Sequence, residues 1–275
     1  MHFVSFLKDG RWHPGIRRGD RIVEIVPHSV QPAEIISSFM AGQTLNTGRE
    51  YGVGDVKLGM PIPNPGTVVC MGLNYRDHAK EGGNPIPDYP AIFLRAASSL
   101  IPDGAPLIVP NCSDQLDYEA ELAIIIGRTA RNVVEQDALS YVFGYSCFND
   151  GSIRNYQRKS TQWTIGKNFD DTGAFGPSVV TADELPAGAH GLAIRCRLNG
   201  QTMQDGNTSG MIFPVARIIE IVSEAMTLHP GDVIITGTPA GVGYARQPPV
   251  FLKAGDVSEV EIEGIGVLRN PVARA

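Results

Sequence analysis

The stretch Asp117-Tyr118-Glu119-Ala120-Glu121 runs without interruption into Leu122-Ala123-Ile124-Ile125-Ile126-Gly127. The apolar, β-branched run predicts a strand. Side chains alternate across a strand with period two, so Glu119 and Glu121 point to one face. Two neighbouring carboxylates on an otherwise apolar strand repel each other and resist burial, and they need a proton or a cation to coexist there. An exposed edge strand with two solvated acids explains an isolated pair just as simply. The balance moves at Phe148-Asn149-Asp150-Gly151-Ser152-Ile153-Arg154-Asn155-Tyr156-Gln157, where a third acid precedes a polar segment able to start a helix. With Asp150 added, three carboxylates and no clustered His or Cys favour a hard ion such as Mg²⁺ or Mn²⁺, with water or substrate oxygens completing the shell.

Outward from this segment, apolar β-branched runs recur at Thr67 to Met71, Ile194 to Leu198, Val233 to Thr236 and Val257 to Ile262, separated by Gly, Pro and Asp clusters. Helical spacing is clearest from Pro214 to Met226, where Val215, Ile218, Ile219, Val222 and Met226 repeat. A shorter helix is expected from Pro32 to Met40, with Ile35, Ile36 and Phe39 on one face. Strands therefore dominate, and the expected fold class is a β-rich α+β arrangement rather than regular βαβ winding. Between His2 and Ile25 the turn signals Asp9-Gly10 and Gly19-Asp20 punctuate short strands, which reads as a small N-terminal β-rich lobe. Pro61, Pro63, Pro65 and Gly66 place its boundary near residue 60, giving a lobe over 1–60 and a catalytic domain over 61–275.

A chain of 275 residues can bury a substantial core. It contains no apolar run near the roughly 20 residues of a membrane span, and no export signal is read at its start; a soluble, cytoplasmic protein without membrane partners is expected. The formal net charge of −6, with basic residues scattered along the chain, argues against nucleic-acid binding, which requires a basic face. Cys70, Cys112, Cys147 and Cys196 lie far apart and form no CxxC pair, so free thiols are expected. Gly237-Thr238-Pro239-Ala240-Gly241-Val242-Gly243 carries no following Lys-Ser or Lys-Thr at phosphate-loop spacing. Its expected use is a tight turn that brings backbone N–H groups and Thr238 close to an anionic ligand.

Two further patterns bear on chemistry. His78 and Glu81 are three apart and share a face if helical, which makes an acid-base residue with a carboxylate to orient it. Such a pair is more often a solvated helix pair when it stands alone. Arg154 and Gln157 have the same spacing, so a helix starting after Asp150 would aim both at the acids, and Arg suits carboxylate recognition. Lys167, between Gly166 and Phe169, reads as a cation partly buried near the acids. His2, His13, His28, His190 and His229 have no comparable context and are read as structural.

The blocks Gly72-Leu73-Asn74-Tyr75-Arg76-Asp77-His78-Ala79-Lys80-Glu81, Asp117 to Gly127, Asn149 to Gln157, Gly166-Lys167-Asn168-Phe169-Asp170, Gly176-Pro177 and Thr236 to Gly243 occur in one order. Over residues 65 to 272 the sequence resembles the fumarylacetoacetate hydrolase family, its smaller bacterial acylpyruvate-hydrolase-like members in particular. The resemblance implies a mixed β-sandwich roll, usually a homodimer. It implies Glu119, Glu121 and Asp150 as metal ligands; His78, Glu81 and Lys167 as catalytic residues; and Arg154, Gln157 and Thr238 as substrate contacts. The reaction it implies is hydrolytic carbon-carbon cleavage of an acylpyruvate or related 2,4-dioxo acid, giving pyruvate and a carboxylic acid. Decarboxylation or isomerisation of a small 2-oxo acid, and non-catalytic dicarboxylate binding, remain open beside it. The chain departs from the family pattern at Asp171-Thr172-Gly173-Ala174-Phe175 and at Arg95, which stands where many relatives carry a lysine, so no role is carried to Arg95.

Overall fold

In the computed structural model, which describes residues 1–27 and 31–275, the Ala120–Ile126 strand lies inside a twelve-stranded sheet. It pairs antiparallel with Val142–Asp150 on one side and Val233–Ile235 on the other, and all seven of its residues are buried. Leu122, Ile124 and Ile126 face one apolar cluster, together with the Val215–Ala225 helix and strands of a separate five-stranded sheet. Ala123 and Ile125 face a second cluster, where Ile35 and Ile36 of the Pro32–Met40 helix pack with Phe148, Phe175 and Val233. Burial on both faces explains why the run is continuously apolar instead of alternating. Glu121 shares the second face with Ala123 and Ile125, so it enters an apolar layer at the end of the strand.

The five-stranded sheet orders Gln201–Asn207, Ala193–Leu198, Val257–Ile262, Gly266–Arg274 and Leu107–Val109. A two-stranded ladder joins Leu116–Asp117, just before Glu119 and Glu121, to Ser152–Ile153, just after Asp150. The β-rich α+β reading holds, and the expected Pro32 to Met40 and Pro214 to Met226 helices form as Pro32–Met40 and Val215–Ala225. Strands His2–Lys8, Arg11–Arg18 and Arg21–Ile25 follow the two turn signals. Asp9 (φ 48°) and Gly10 (φ 74°) are both left-handed, the geometry that lets a two-residue turn match strand twist.

These N-terminal strands extend the large sheet. His2–Lys8 pairs antiparallel with Gly173–Thr181, and Phe3, Ile16 and Ile25 share the second apolar cluster with Ala123 and Ile125. A division of the chain near residue 60 is a proposal beside that continuity. All four cysteines are unpaired, with Cys112 alone exposed. Among the described residues, no helix is long and apolar enough to cross a membrane.

Candidate metal centre and acid-base pair

Sheet register assembles the acids. Glu121 is opposite Phe148, and Asp150 lies two residues further along that strand, on the same face and diagonal to Glu121. Glu119 precedes the strand; its N–H donates to Asn149 Oδ1 (3.0 Å) and its carbonyl accepts from Asp150 N (2.9 Å). One oxygen of each of Glu119, Glu121 and Asp150 lies within 4.8 Å of the others, and all three residues are buried.

Three cations surround them. Lys167, on the short Thr164–Lys167 helix, sends its ammonium between Glu119 Oε2 (2.5 Å) and Asp150 Oδ2. Arg154 donates to Asp117 Oδ2 (2.8 Å), to Glu119 Oε1 (2.7 Å) and to Gln157 Oε1 (2.9 Å). Arg95 donates to Asp150 Oδ1 at 2.5 Å. Burial opposes ionisation of Glu119, but Arg154 and Lys167 outweigh it and hold this carboxyl well below its ordinary value. For Glu121, burial and the neighbouring Asp150 and Glu119 charges push the carboxyl well above the ordinary range.

Counted as fully ionised, the four buried acids Asp117, Glu119, Glu121 and Asp150 exceed the three buried cations by one formal negative charge, and the upward push on Glu121 favours a proton there until a further cation enters. Hard oxygen donors with surplus negative charge are what a divalent cation needs, so the residues present fit one. In that arrangement Glu119, Glu121 and Asp150 would hold it.

His78 and Glu81 lie on the Arg76–Glu81 helix, with His78 Nδ1 and Glu81 Oε2 3.2 Å apart. Glu81 Oε1 accepts from the Gly241 N–H (2.9 Å), which ties this pair to the glycine-rich loop. The same loop donates from Gly237 N–H to Glu121, so the His78–Glu81 pair and the acid cluster are both bonded to one turn. Asn74 fixes the approach to this helix: it donates to Phe213 O (3.0 Å) and Thr236 O (2.7 Å) and accepts from Phe213 N (2.7 Å).

The helix expected after Asp150 is a single turn, Arg154–Gln157, preceded by Ser152–Ile153 in the small ladder. Arg154 reaches the protein's own carboxylates, and Gln157 meets the acids through Arg154. The same holds for the glycine-rich loop. Its Gly237 N–H donates to Glu121 Oε2 (2.5 Å), Gly243 N–H to Asp117 Oδ1 (2.8 Å) and Tyr244 N–H to Asp117 Oδ2 (3.0 Å). Thr238 Oγ1 donates to Ala120 O (2.9 Å) and accepts from Gln204 Nε2 (2.8 Å). The anions this turn approaches are therefore internal ones.

Sequence reasoning passed over Asp117 and Arg95, although each is buried at the site. The two departures from the family pattern also meet here, since Arg95 Nη2 donates to Thr172 Oγ1 (2.9 Å). Of the other histidines, His13 pairs with buried Glu24 (2.7 Å), His2 lies 3.7 Å from Glu184, and His190 and His229 are exposed. His28 lies outside the described residues. A separate cavity of about 490 Å³, lined by Trp12, His13, Pro61, Asn64 and Asp232 among others, shares no residue with the acid cluster.

The sheet end thus combines a carboxylate cluster able to hold a metal ion with an imidazole-carboxylate pair bonded to the same loop, the make-up of a metal-assisted acid-base enzyme site. Residues 67–273 match the family described as fumarylacetoacetate (FAA) hydrolase C-terminal. The chain belongs to the fumarylacetoacetate hydrolase family. It is 45% identical over 220 residues to a mitochondrial oxaloacetate tautomerase of Xenopus laevis, covering 79% of this chain and 69% of that one. It is 44% identical over 214 residues to its human counterpart, covering 77% and 68%. Among solved structures it superposes on a fumarylacetoacetate hydrolase from Exiguobacterium antarcticum with a TM-score of 0.87 at 37% identity. A 5-carboxymethyl-2-hydroxymuconate delta-isomerase from Mycobacterium smegmatis gives 0.85 at 34% identity. Both superpositions cover the whole of each chain.

Proposed function

We propose that this enzyme is a Mg²⁺- or Mn²⁺-dependent isomerase of a small 2-oxo acid, moving a proton between the carbon beside the 2-oxo group and its oxygen. Oxaloacetate is the first substrate to test. The observation that carries the reading is the His78–Glu81 pair anchored beside three buried carboxylates. The relatives named as tautomerases and isomerases favour proton transfer over the hydrolysis implied by the sequence resemblance.

A bound divalent ion supplies Lewis-acid polarisation of the 2-oxo group and so acidifies the neighbouring C–H. His78, its Nδ1 held by Glu81, presents Nε2 to take that proton and return it at oxygen. Lys167 supplies positive charge where negative charge develops on the substrate, and Gln157 orients the substrate alongside it. Arg154 holds Glu119 in place, and Thr238 shapes the floor beneath the substrate carboxylate. Assembly as a homodimer belongs to the same proposal and is tested by light scattering.

A second reading, hydrolytic cleavage of an acylpyruvate, is supported by the likeness to the Exiguobacterium hydrolase. There the same pair would deprotonate water. The deciding experiment supplies Mg²⁺ or Mn²⁺ and follows enol-oxaloacetate by ultraviolet absorbance, with mass analysis of the products and a parallel panel of acylpyruvates. Accelerated keto-enol exchange at unchanged mass is the expected result. Pyruvate with CO₂ would indicate decarboxylation, and pyruvate with a carboxylic acid would indicate hydrolysis. Binding without any turnover would leave a dicarboxylate-binding protein.

A further inference from the structure

We propose that this centre selects a small octahedral cation against Ca²⁺, and that Arg95 is the side chain that sets the selection, by holding Asp150 to a single free oxygen. The inference rests on the metal-centre reading above and extends it to a residue without an assigned role.

Each of the three acids has one oxygen held by an arginine or a backbone N–H. Glu119 Oε1 accepts from Arg154 Nη2 (2.7 Å), Glu121 Oε2 from the Gly237 N–H (2.5 Å) and Asp150 Oδ1 from Arg95 Nη1 (2.5 Å). The remaining oxygens, Glu119 Oε2, Glu121 Oε1 and Asp150 Oδ2, are the ones offered to an ion, and of these Glu119 Oε2 also accepts from Ser152 Oγ (3.2 Å). Lys167 now bridges the first and third of these, so its ammonium must shift as an ion enters.

Ca²⁺ takes about 6 to 8 oxygens and readily uses carboxylates through both oxygens, whereas Mg²⁺ demands six in near-octahedral array and accepts one per carboxylate. To serve Ca²⁺ through both oxygens, a ligand here must turn an oxygen toward the ion that a buried donor already holds in another direction, straining or losing that hydrogen bond. The Gly237 donor is backbone, and Arg154 is bound to Asp117 as well as Glu119. Those two locks are shared with the loop and with the wider ion-pair network. Arg95 is the one dedicated to Asp150.

Arg95 has no room to follow a rotating carboxylate. Its side chain is 0% exposed. Nε donates to Ser99 Oγ (3.2 Å), Nη1 also to Gly151 O (3.1 Å), and Nη2 to Thr172 Oγ1 (2.9 Å). Ser99 and Thr172 are in turn fixed, donating to Ala96 O and Phe169 O, each at 2.7 Å. The guanidinium passes so close to Gly173 that a Cβ there would lie 2.7 Å from Nη2. A lysine at this position keeps the charge, but a compact ammonium cannot reproduce the planar fork that reaches Ser99, Gly151, Thr172 and Asp150 together.

The test titrates metal-free protein with Mg²⁺, Mn²⁺ and Ca²⁺ by calorimetry, comparing the parent with Arg95→Lys and Thr172→Val. The parent is expected to bind Mg²⁺ and Mn²⁺ in preference to Ca²⁺. Arg95→Lys should move the Ca²⁺-to-Mg²⁺ affinity ratio toward Ca²⁺ by about tenfold or more, the scale typical of groups that orient a ligand. Thr172→Val, which loosens the guanidinium without removing it, should move the ratio less in the same direction. It carries the test alone if circular dichroism shows that Arg95→Lys does not fold. A merely structural role would weaken all three ions by one factor and leave the ratio unchanged, which overturns the proposal, as does a parent that binds Ca²⁺ as tightly as Mg²⁺. A parent that binds none of the three removes the metal-centre reading itself, and this inference with it.

Discussion

Arg154→Met tests whether the ion-pair network is a structural necessity of the site. The guanidinium is 3% exposed and bonded to Asp117 and Glu119, whose side chains are 0% and 6% exposed. Its removal leaves Asp117 with only the N–H groups of Tyr118 (2.9 Å), Gly243 (2.8 Å) and Tyr244 (3.0 Å) and no cation. Burial already pushes the Asp117 carboxyl above its usual range despite Arg154. Breaking a buried pair by deleting one partner costs about 3–5 kcal/mol, because the other charge stays desolvated. For a chain of this size each kcal/mol lowers Tm by roughly 2–4 °C, so the variant should melt roughly 6–20 °C below the parent. The assay is thermal unfolding by circular dichroism in EDTA, repeated with Mn²⁺. Loss of Arg154 raises the excess negative charge of the cluster from one to two, so Mn²⁺ should raise Tm more in the variant than in the parent. Asp117→Asn in the same chain should recover part of the loss. Arg217→Met, which breaks a partly exposed i,i+3 pair with Glu220, should cost about 1 kcal/mol or less. An Arg154→Met protein that melts within about 2 °C of the parent in EDTA refutes the reasoning.

EDTA should abolish turnover, with recovery on adding Mg²⁺ or Mn²⁺; full activity in protein shown metal-free by elemental analysis would contradict the triad. Glu119→Ala and Asp150→Ala should each lose Mn²⁺ binding in calorimetry while keeping the parent's circular dichroism spectrum. His78→Ala should keep Mn²⁺ and 2-oxo acid affinity yet lose about 10²–10⁴ in kcat, and an unchanged kcat would remove His78 from the chemistry. Asn74→Ala breaks three buried hydrogen bonds and should destabilise the fold by about 2–4 kcal/mol in urea unfolding, because the Phe213 and Thr236 carbonyls and the Phe213 N–H each lose this partner.

The strand at Leu122–Ile126, the Pro214–Met226 helix, the N-terminal turns and the ligand candidates were legible because they rest on local periodicity, turn chemistry and residue type. Glu119 and Glu121 are two residues apart, so strand alternation alone could pair them. Their counter-charges were not legible in the same way. Arg154, four residues past Asp150, and Lys167 were read near the acids, but which carboxylate each binds was not, and Arg95, 55 residues before Asp150, was given no role because no local rule ranks a buried arginine above an exposed one.

The glycine-rich turn shows the same division. Its sequence announces close approach of N–H groups to anions, but only the packing of that loop against Glu81, Asp117 and Glu121 decides that those anions belong to the protein. The N-terminal strands were readable as strands, whereas the pairing of His2–Lys8 with Gly173–Thr181 sets His2 opposite Val180 and Phe3 opposite Val179, contacts that no local pattern encodes. Sequence by itself determined which segments are strands or helices and which side chains can bind a hard cation, because those properties are carried by neighbours in the chain. Tertiary structure alone decided which oxygen of each acid is held by an arginine or a backbone N–H, because charge and hydrogen bonding act through space.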